Sequence, residues 1–365
     1  MNKAKKINLN TTFKNKTVLV TGHTGFKGSW LSLWLVSLGA RVIGVSIGVP
    51  SKPSHFKLIK LEKKMKSIYC DISNFKRLKN IVYKSKPDFI FHLAAQAIVK
   101  KSYEDPQKTW KTNLVGTLNL LEILKKYNKK NLISIFITSD KVYKNFETNK
   151  PYHENDELGG IDPYSGSKSS ADIAIQSYAG SFLRNNSQKS LISIARAGNV
   201  IGGGDWSYGR LIPDCVRAWS KNKEVVIRNP KSTRPWQHVL EVIAGYLQLA
   251  AKLKKNKKIN GQAFNFGPKL KDKFRVIDVL KESKIIWDKA KWKKNTSKYF
   301  SESNLLHLNS SKANKVLGWK HLISFNETIK LTINWYKKYY EKNINIEKIS
   351  LEQIKLYQNK MGKNK

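Results

Sequence analysis

TVLVTGHTGFKGSW, residues 17–30, passes from a short apolar run into three glycines, Gly22, Gly25 and Gly28, spaced G-x-x-G-x-x-G. Trp30, Leu31, Leu33, Trp34, Leu35 and Leu38 then recur at helical spacing until Gly39, after which RVIGVS (41–46) opens a second apolar run. Strand, glycine loop, helix and strand make one βαβ unit. In that context Gly22 permits a tight turn, Gly25 lets the backbone approach a pyrophosphate, and Gly28 lets the helix close on the strand. The helix N-terminus then offers unpaired N–H groups to the anion. The loop therefore predicts a bound dinucleotide, with Thr24, Phe26 and Lys27 completing the cofactor contacts. His23 either faces that cofactor or fills the loop.

The same alternation continues outward. DFIFHL (88–93), LISIFIT (132–138) and Leu191–Ala195 read as buried strands, and segments near 108–127 and 165–184 are long enough for helical crossovers. This pattern calls for a Rossmann-type α/β fold: a mostly parallel sheet with helices on both faces. After residue 199 it changes. A short helix (RLIPDCVRAW), strands near 225–228 and 263–266, and an amphipathic helix (FNETIKLTINWYKKYYE) follow. The expected organisation is a cofactor domain over 13–199, to which part of 225–270 returns, and a smaller interleaved substrate lobe over 200–345. A lysine-rich tail, 346–365, closes the chain.

The 365 residues carry a formal charge of +42. Such a field attracts polyanions. The excess is lysine spread along the chain, however, with only nine arginines, and no nucleic-acid motif accompanies it. Steering of a small anionic substrate is the more useful consequence, and no specific nucleic-acid partner is expected. Two distant cysteines, Cys70 and Cys215, offer neither a disulfide framework nor a zinc knuckle. No metal site, signal peptide or membrane span is read, and a cytoplasmic location is expected.

Candidate chemistry lies further on. Tyr164 and Lys168, in YSGSK, fall on one face at the start of a helix. A lysine ammonium and a cationic nicotinamide nearby favour tyrosinate, which takes a hydroxyl proton while hydride leaves the same carbon. Ser139, at the end of a strand, is placed to hydrogen-bond the reacting oxygen. Asp140 and Lys141 follow, one acid and one amine, as a second proton-transfer step requires; a solvated turn pair is the alternative. Asp71 either accepts from an adenine amino group or caps a helix. Ala94, Ala95 and Gln96 are cofactor contacts after the DFIFHL strand. Asn113 either ties neighbouring strands or positions a water. No acid closes the second strand to hold the adenosine ribose, and Ser46 is the polar candidate there.

TGHTGFKGSW (21–30), HLAAQ (92–96), TSDKVY (138–143), YSGSK (164–168) and RAGNVIGGGDW (196–206) together resemble the extended short-chain dehydrogenase/reductase family. Within it they are most similar to the sugar-nucleotide 4,6-dehydratases acting on CDP-glucose. RPWQHVLE (234–241), FNFGP (264–268) and SKANKVLGW (311–319) extend the likeness over about residues 13–345. In dehydratases for dTDP-glucose and GDP-mannose an acid usually stands where this chain has Lys141, whereas lysine is the pattern of the CDP-glucose branch. The segment AIVKKSYEDP (97–106) departs from it, with Ala97, Lys100 and Lys101 where proline and arginines are usual.

The resemblance implies NAD as cofactor, Tyr164, Ser139 and Lys168 in C4 oxidation, and Lys141 and Asp140 as base and acid for elimination. It further implies substrate contacts from Asn199, Arg210, Arg234 and His238, and a homodimer or higher homo-oligomer built on the two long helices. Trp206 either stacks on a base or packs behind the glycines. Rival readings are a sugar-nucleotide 4-epimerase, which does not need the Asp140–Lys141 pair, a dehydratase for dTDP-glucose or GDP-mannose, which Lys141 disfavours, and a cofactor-binding scaffold, which does not need the Ser–Tyr–Lys set.

Overall fold

A computed structural model describes residues 7–146, 150–183, 190–270, 272–294, 306–342 and 344–363. Seven strands form one sheet: β1 (Thr17–Thr21), β2 (Arg41–Ser46), β3 (Lys66–Tyr69), β4 (Phe89–His92), β5 (Leu132–Ile137), β6 (Ser190–Ala197) and β7 (Ala263–Phe266). Their order is β7-β6-β5-β4-β1-β2-β3, and every pairing is parallel. β1, β4, β5, β6 and β7 are buried along their whole length, which is why they read as continuous apolar runs and not as alternating ones.

The chain leaves β1 toward β2 on one side and returns to β4 on the other. The crevice beyond the carboxyl ends of β1 and β4 is therefore the topological switch point, the place where such sheets bind ligands. The glycine loop opens directly into it, at the start of α1 (Phe26–Ser37). Further crossovers include α2 (Phe75–Ser85), α3 (Gly116–Lys126) and α4 (Pro163–Phe182). α4 is well specified locally: Asp162 caps it by accepting from the Ser165 N–H at 3.0 Å, and Pro163 occupies its first turn. The segment read as one helix over 108–127 contains a π-turn at Lys111–Val115 before α3.

The second part wraps back over the first. α5 (Leu211–Trp219) and α6 (Val239–Lys255) lead to β7, which adds to the sheet beside β6. The strand at Val225–Ile227 instead pairs with Trp292–Lys294 in a small separate sheet. α7 (Phe325–Tyr340) follows, and then α8 (Ile346–Lys363). α8 replaces the lysine-rich tail of the sequence reading as far as Lys363; residues 364 and 365 lie outside the described residues. Ile346, Ile349, Ile354 and Tyr357 are buried in the main core, and Tyr357 packs edge-on to Trp34 of α1. Among the described residues no helix is long and apolar enough to cross a membrane.

Candidate active site

Close packing around the three glycines leaves no room for side chains. Gly22 has φ of +77°, and a Cβ there would stand 2.8 Å from the Ala94 nitrogen. A Cβ on Gly28 would come within 2.0 Å of the Gly22 carbonyl oxygen. The loop thus presses onto the first turn of α1, whose leading N–H groups have no partner within the helix. This cradle and its positive helix end suit a pyrophosphate, and Ala94 and Ala95 leave the neighbouring wall low. Thr24 donates to the Gly48 carbonyl at 2.6 Å, tying the loop to the chain after β2. Phe26 lies against Gly202, where an added Cβ would be 3.3 Å from its ring.

His23 fills the loop. Its ring lies over Gly44, where a Cβ would meet it at 2.2 Å, and its two nitrogens face the hydroxyls of Ser46 (3.0 Å) and Ser67 (3.1 Å). Burial holds its pKa down at about 4, so it is neutral. The Ser46 hydroxyl also accepts from the Thr24 N–H at 3.4 Å. Ser46 is thus turned toward His23 and Thr24; the exposed residue after β2 is Ile47.

Gln96 and Asn113 brace each other in the same way. The Asn113 amide accepts from the Gln96 N–H at 2.8 Å and donates to the Gln96 carbonyl at 3.1 Å and to Ser167 Oγ at 2.9 Å. The Gln96 side chain is held by Thr109 and the Ile98 N–H. Both residues shape the wall by positioning backbone, and Asn113 does so from the π-turn. Asp71 is exposed at the end of β3, one carboxylate oxygen accepting from the Ser73 N–H at 2.8 Å, while Asn74 caps α2.

On the opposite wall, Ser139 and Asp140 leave the carboxyl end of β5 and enter a short 3-10 turn, Asp140–Val142, that includes Lys141. Ser139 Oγ donates to Asp140 Oδ1 at 2.8 Å and accepts from the Lys141 N–H at 3.2 Å. The Tyr164 phenol lies beside the same Ser139 hydroxyl, which pulls its pKa down. Tyrosine, serine and aspartate therefore share one wall.

Burial raises the Tyr164 pKa, and Asp140 raises it further, while Ser139 and the Arg210 guanidinium pull it down. Lys168 donates to the Ile137 carbonyl at 3.2 Å. Its ammonium is brought down to about 8 by burial, then by the nearby Lys27 ammonium. Lys27 is likewise lowered to about 8 by burial and Arg210, with Asp140 and Asp205 opposing. Three cations and two carboxylates thus converge beside Tyr164. Of these, Asp205 was not legible as a site residue: it binds Arg210 at 2.7 Å, and only its place five residues before that arginine hinted at a pair.

The predicted substrate residues divide. Arg210 is half-buried and within electrostatic reach of Tyr164. Asn199 is exposed just beyond β6, next to Gly198, where a Cβ would stand 3.2 Å from Asp140 Oδ2. Arg234, in a two-residue strand paired with Phe274–Arg275, donates to the Thr233 carbonyl at 3.2 Å. Its neighbour Pro235 packs on the same Gly198. His238 is fully buried: its ring faces Trp30, and its Nδ1 accepts the Leu240 N–H to cap α6. Gln237 is also internal, donating to the Phe266 carbonyl. Trp206 packs among Trp335, Tyr336 and Tyr339.

A Rossmann crevice with a glycine cradle facing a Ser–Tyr–Lys set defines a short-chain dehydrogenase/reductase of the extended type. Residues 19–332 match the family described as GDP-mannose 4,6 dehydratase, and the chain belongs to that family of nucleotide-sugar enzymes. It is 42% identical over 331 residues to the CDP-glucose 4,6-dehydratase of Salmonella typhimurium, covering 90% of this chain and 92% of that protein. Among solved structures, it superposes with a TM-score of 0.73 and 21% identity on the dTDP-glucose 4,6-dehydratase of Bacillus anthracis in complex with NAD, over 89% of this chain and 98% of the other. The UDP-glucose 4-epimerase of Thermotoga maritima with UDP-glucose gives a TM-score of 0.74 at 24% identity, over 88% and 99%.

Proposed function

We propose that this enzyme removes water from the glucosyl unit of CDP-glucose, giving the CDP-linked 4-keto-6-deoxy sugar, with NAD as its resident cofactor. The observation that carries the reading is Tyr164 set beside Ser139, whose hydroxyl donates to Asp140, with Lys141 next in the same turn. An oxidation site alone needs the first two residues; an elimination also needs an acid and a base. The 42% identity to a CDP-glucose dehydratase supports the nucleotide, as does lysine at position 141.

The Gly22–Gly28 loop, with Lys168 at the ribose, would hold NAD, which would supply the hydride acceptor for C4 and the donor for C6. Tyr164 takes the C4 hydroxyl proton while Ser139 holds that oxygen. Arg210 favours the phenolate electrostatically. The resulting 4-keto group acidifies C5, and Lys141 removes the C5 proton. Asp140 protonates the C6 hydroxyl as the C6–O bond breaks, and water leaves. A proton returns to C5 as C6 is reduced, so the cofactor ends as it began. Asn199, Arg210 and Arg234 are the proposed contacts to sugar and diphosphate, arginine being suited to that multidentate anion.

We place the cofactor domain at 13–199 together with β7, and the substrate lobe in the rest of 200–345. Pairing of two copies through their long crossover helices is supported by exposed Trp110, Val115 and Ile173 on that side. A cytoplasmic location and a role in surface-polysaccharide deoxysugar synthesis follow the same reading. The test is incubation with NAD and, separately, CDP-glucose, dTDP-glucose, UDP-glucose and GDP-mannose, with products weighed by mass spectrometry. Loss of water from CDP-glucose alone is expected. Turnover of another nucleotide instead would overturn the assignment from Lys141, and no mass change with any of them would remove the dehydratase reading.

A further inference from the structure

The segment Thr138–Tyr143 carries the proposed acid and base between two residues that do no chemistry. Each of those end residues is tied to a different member of one buried ion pair. Asp172, one turn beyond Lys168 on α4, meets Arg196 of β6 in a two-pronged pair, Nε to Oδ2 at 2.9 Å and Nη2 to Oδ1 at 2.7 Å. Both side chains are essentially inaccessible to solvent. The Thr138 hydroxyl donates to Asp172 Oδ2 at 2.9 Å, and the Arg196 Nη1 donates to the Tyr143 hydroxyl at 2.8 Å. Tyr143 in turn donates a hydrogen bond to Asn265 Oδ1 on β7 at 2.8 Å and stacks on Tyr152. The Asp172 carboxylate is filled by Gln176, whose amide donates to Oδ1 at 2.8 Å.

We propose that Asp172 and Arg196 are positioning residues that clamp both ends of the Thr138–Tyr143 segment and thereby set where Ser139, Asp140 and Lys141 stand. The inference rests on the dehydratase reading only for the role of the clamped residues. A buried ion pair is an expensive way to stabilise a fold, because desolvating both charges offsets most of their attraction. What a two-pronged pair does supply is fixed direction. Here that direction is passed through one hydroxyl at each end of a six-residue segment, on strands and a helix that are themselves rigid. Elimination needs acid and base held to a fraction of an ångström, and misplacement of about 1 Å costs on the order of a hundredfold in rate.

Removing either charge would leave the other buried alone and endanger folding, so the test uses the hydroxyls. Thr138→Val keeps the shape and loses the bond to Asp172; Thr138→Ser keeps the bond; Tyr143→Phe keeps the ring and its stacking. Dehydration kinetics, cofactor binding by titration, and hydrogen–deuterium exchange of 138–143 are measured together. The clamp predicts that Thr138→Val and Tyr143→Phe each lower kcat about tenfold or more, with KM and cofactor affinity within about threefold. It also predicts that Thr138→Ser restores kcat and that exchange quickens at 138–143 but not in β5. It is overturned if both variants keep kcat within about twofold, or if Thr138→Ser is as impaired as Thr138→Val. Should the wild-type protein dehydrate no sugar nucleotide, the functional reading fails. Exchange then decides the clamp alone: faster exchange at 138–143 in Thr138→Val and Tyr143→Phe supports it, and unchanged exchange overturns it.

Discussion

Gly28→Ala is a single-methyl perturbation whose effect can be worked from the packing. The new Cβ would lie 2.0 Å from the Gly22 carbonyl oxygen, 2.8 Å from its carbon and 2.9 Å from the His23 Cα. All three are backbone atoms, so no side chain can rotate away. Restoring ordinary contact requires the start of α1 and the loop to separate by more than about 1 Å. Overpacking of this kind costs about 1–3 kcal/mol of stability. The same displacement moves the loop N–H groups away from the pyrophosphate they are placed to bind. Losing two charge-assisted hydrogen bonds, at about 1.5–3 kcal/mol each, weakens cofactor binding by at least about a hundredfold. Gly180→Ala is the matched control: it lies in α4 with nothing within 4 Å of the added carbon, so binding is unchanged and stability equal or slightly improved. Isothermal titration with NAD and a thermal melt read both quantities. A Gly28→Ala protein that binds NAD like wild type would falsify the assignment of this loop as the pyrophosphate cradle.

Other outcomes follow from the same geometry. Asp140→Asn and Lys141→Ala are each expected to lower kcat by about 10²–10⁴-fold while NAD affinity stays within about threefold; equal losses in both would move these residues out of the chemistry. Lys27 and Lys168, both lowered to about 8, lose their charge as pH rises through that value, so NAD affinity is expected to fall above about pH 8 and to hold below it. Glu241, buried and accepting from Leu322 N–H, Ile323 N–H and the Tyr357 hydroxyl, has its carboxyl raised by burial from 4.5 to about 7. The native state then holds an extra proton between these values, so this group's contribution to stability declines as pH rises from 4.5 to 7. Melts of Glu241→Gln should lack that decline, and an identical pH profile in both proteins would refute it. Tyr357→Phe removes the bond from α8 to Glu241 and is expected to cost about 1–2 kcal/mol in urea unfolding, with activity retained.

The sheet was readable because its signals are local. Continuous apolar runs ended in glycine or in a polar catalytic residue, and the Asp162–Pro163 start of α4 is written in two adjacent residues. The direction in which a polar side chain points was not readable. Ser46, Gln96 and His238 sit where the sequence placed them along the chain, yet each turns inward to satisfy a neighbour, a choice made by packing from distant elements. Asp172 and Arg196 were invisible for the complementary reason: a charge in a strand or helix gives no sign of being buried until its partner, 24 residues away, is known. α8 was obscured by composition. Ile346, Ile349, Ile354 and Tyr357 do mark an apolar face, but the surrounding lysines read as a solvated tail.

Turning over CDP-glucose deuterated at C4 probes oxidation at C4, elimination, and reduction at C6 within one site in a single experiment. The expected product is lighter by one water, with the deuterium recovered at C6 of the same molecule and no net change in the cofactor. Unchanged substrate mass, or dehydrated product whose deuterium is lost to solvent, would contradict it.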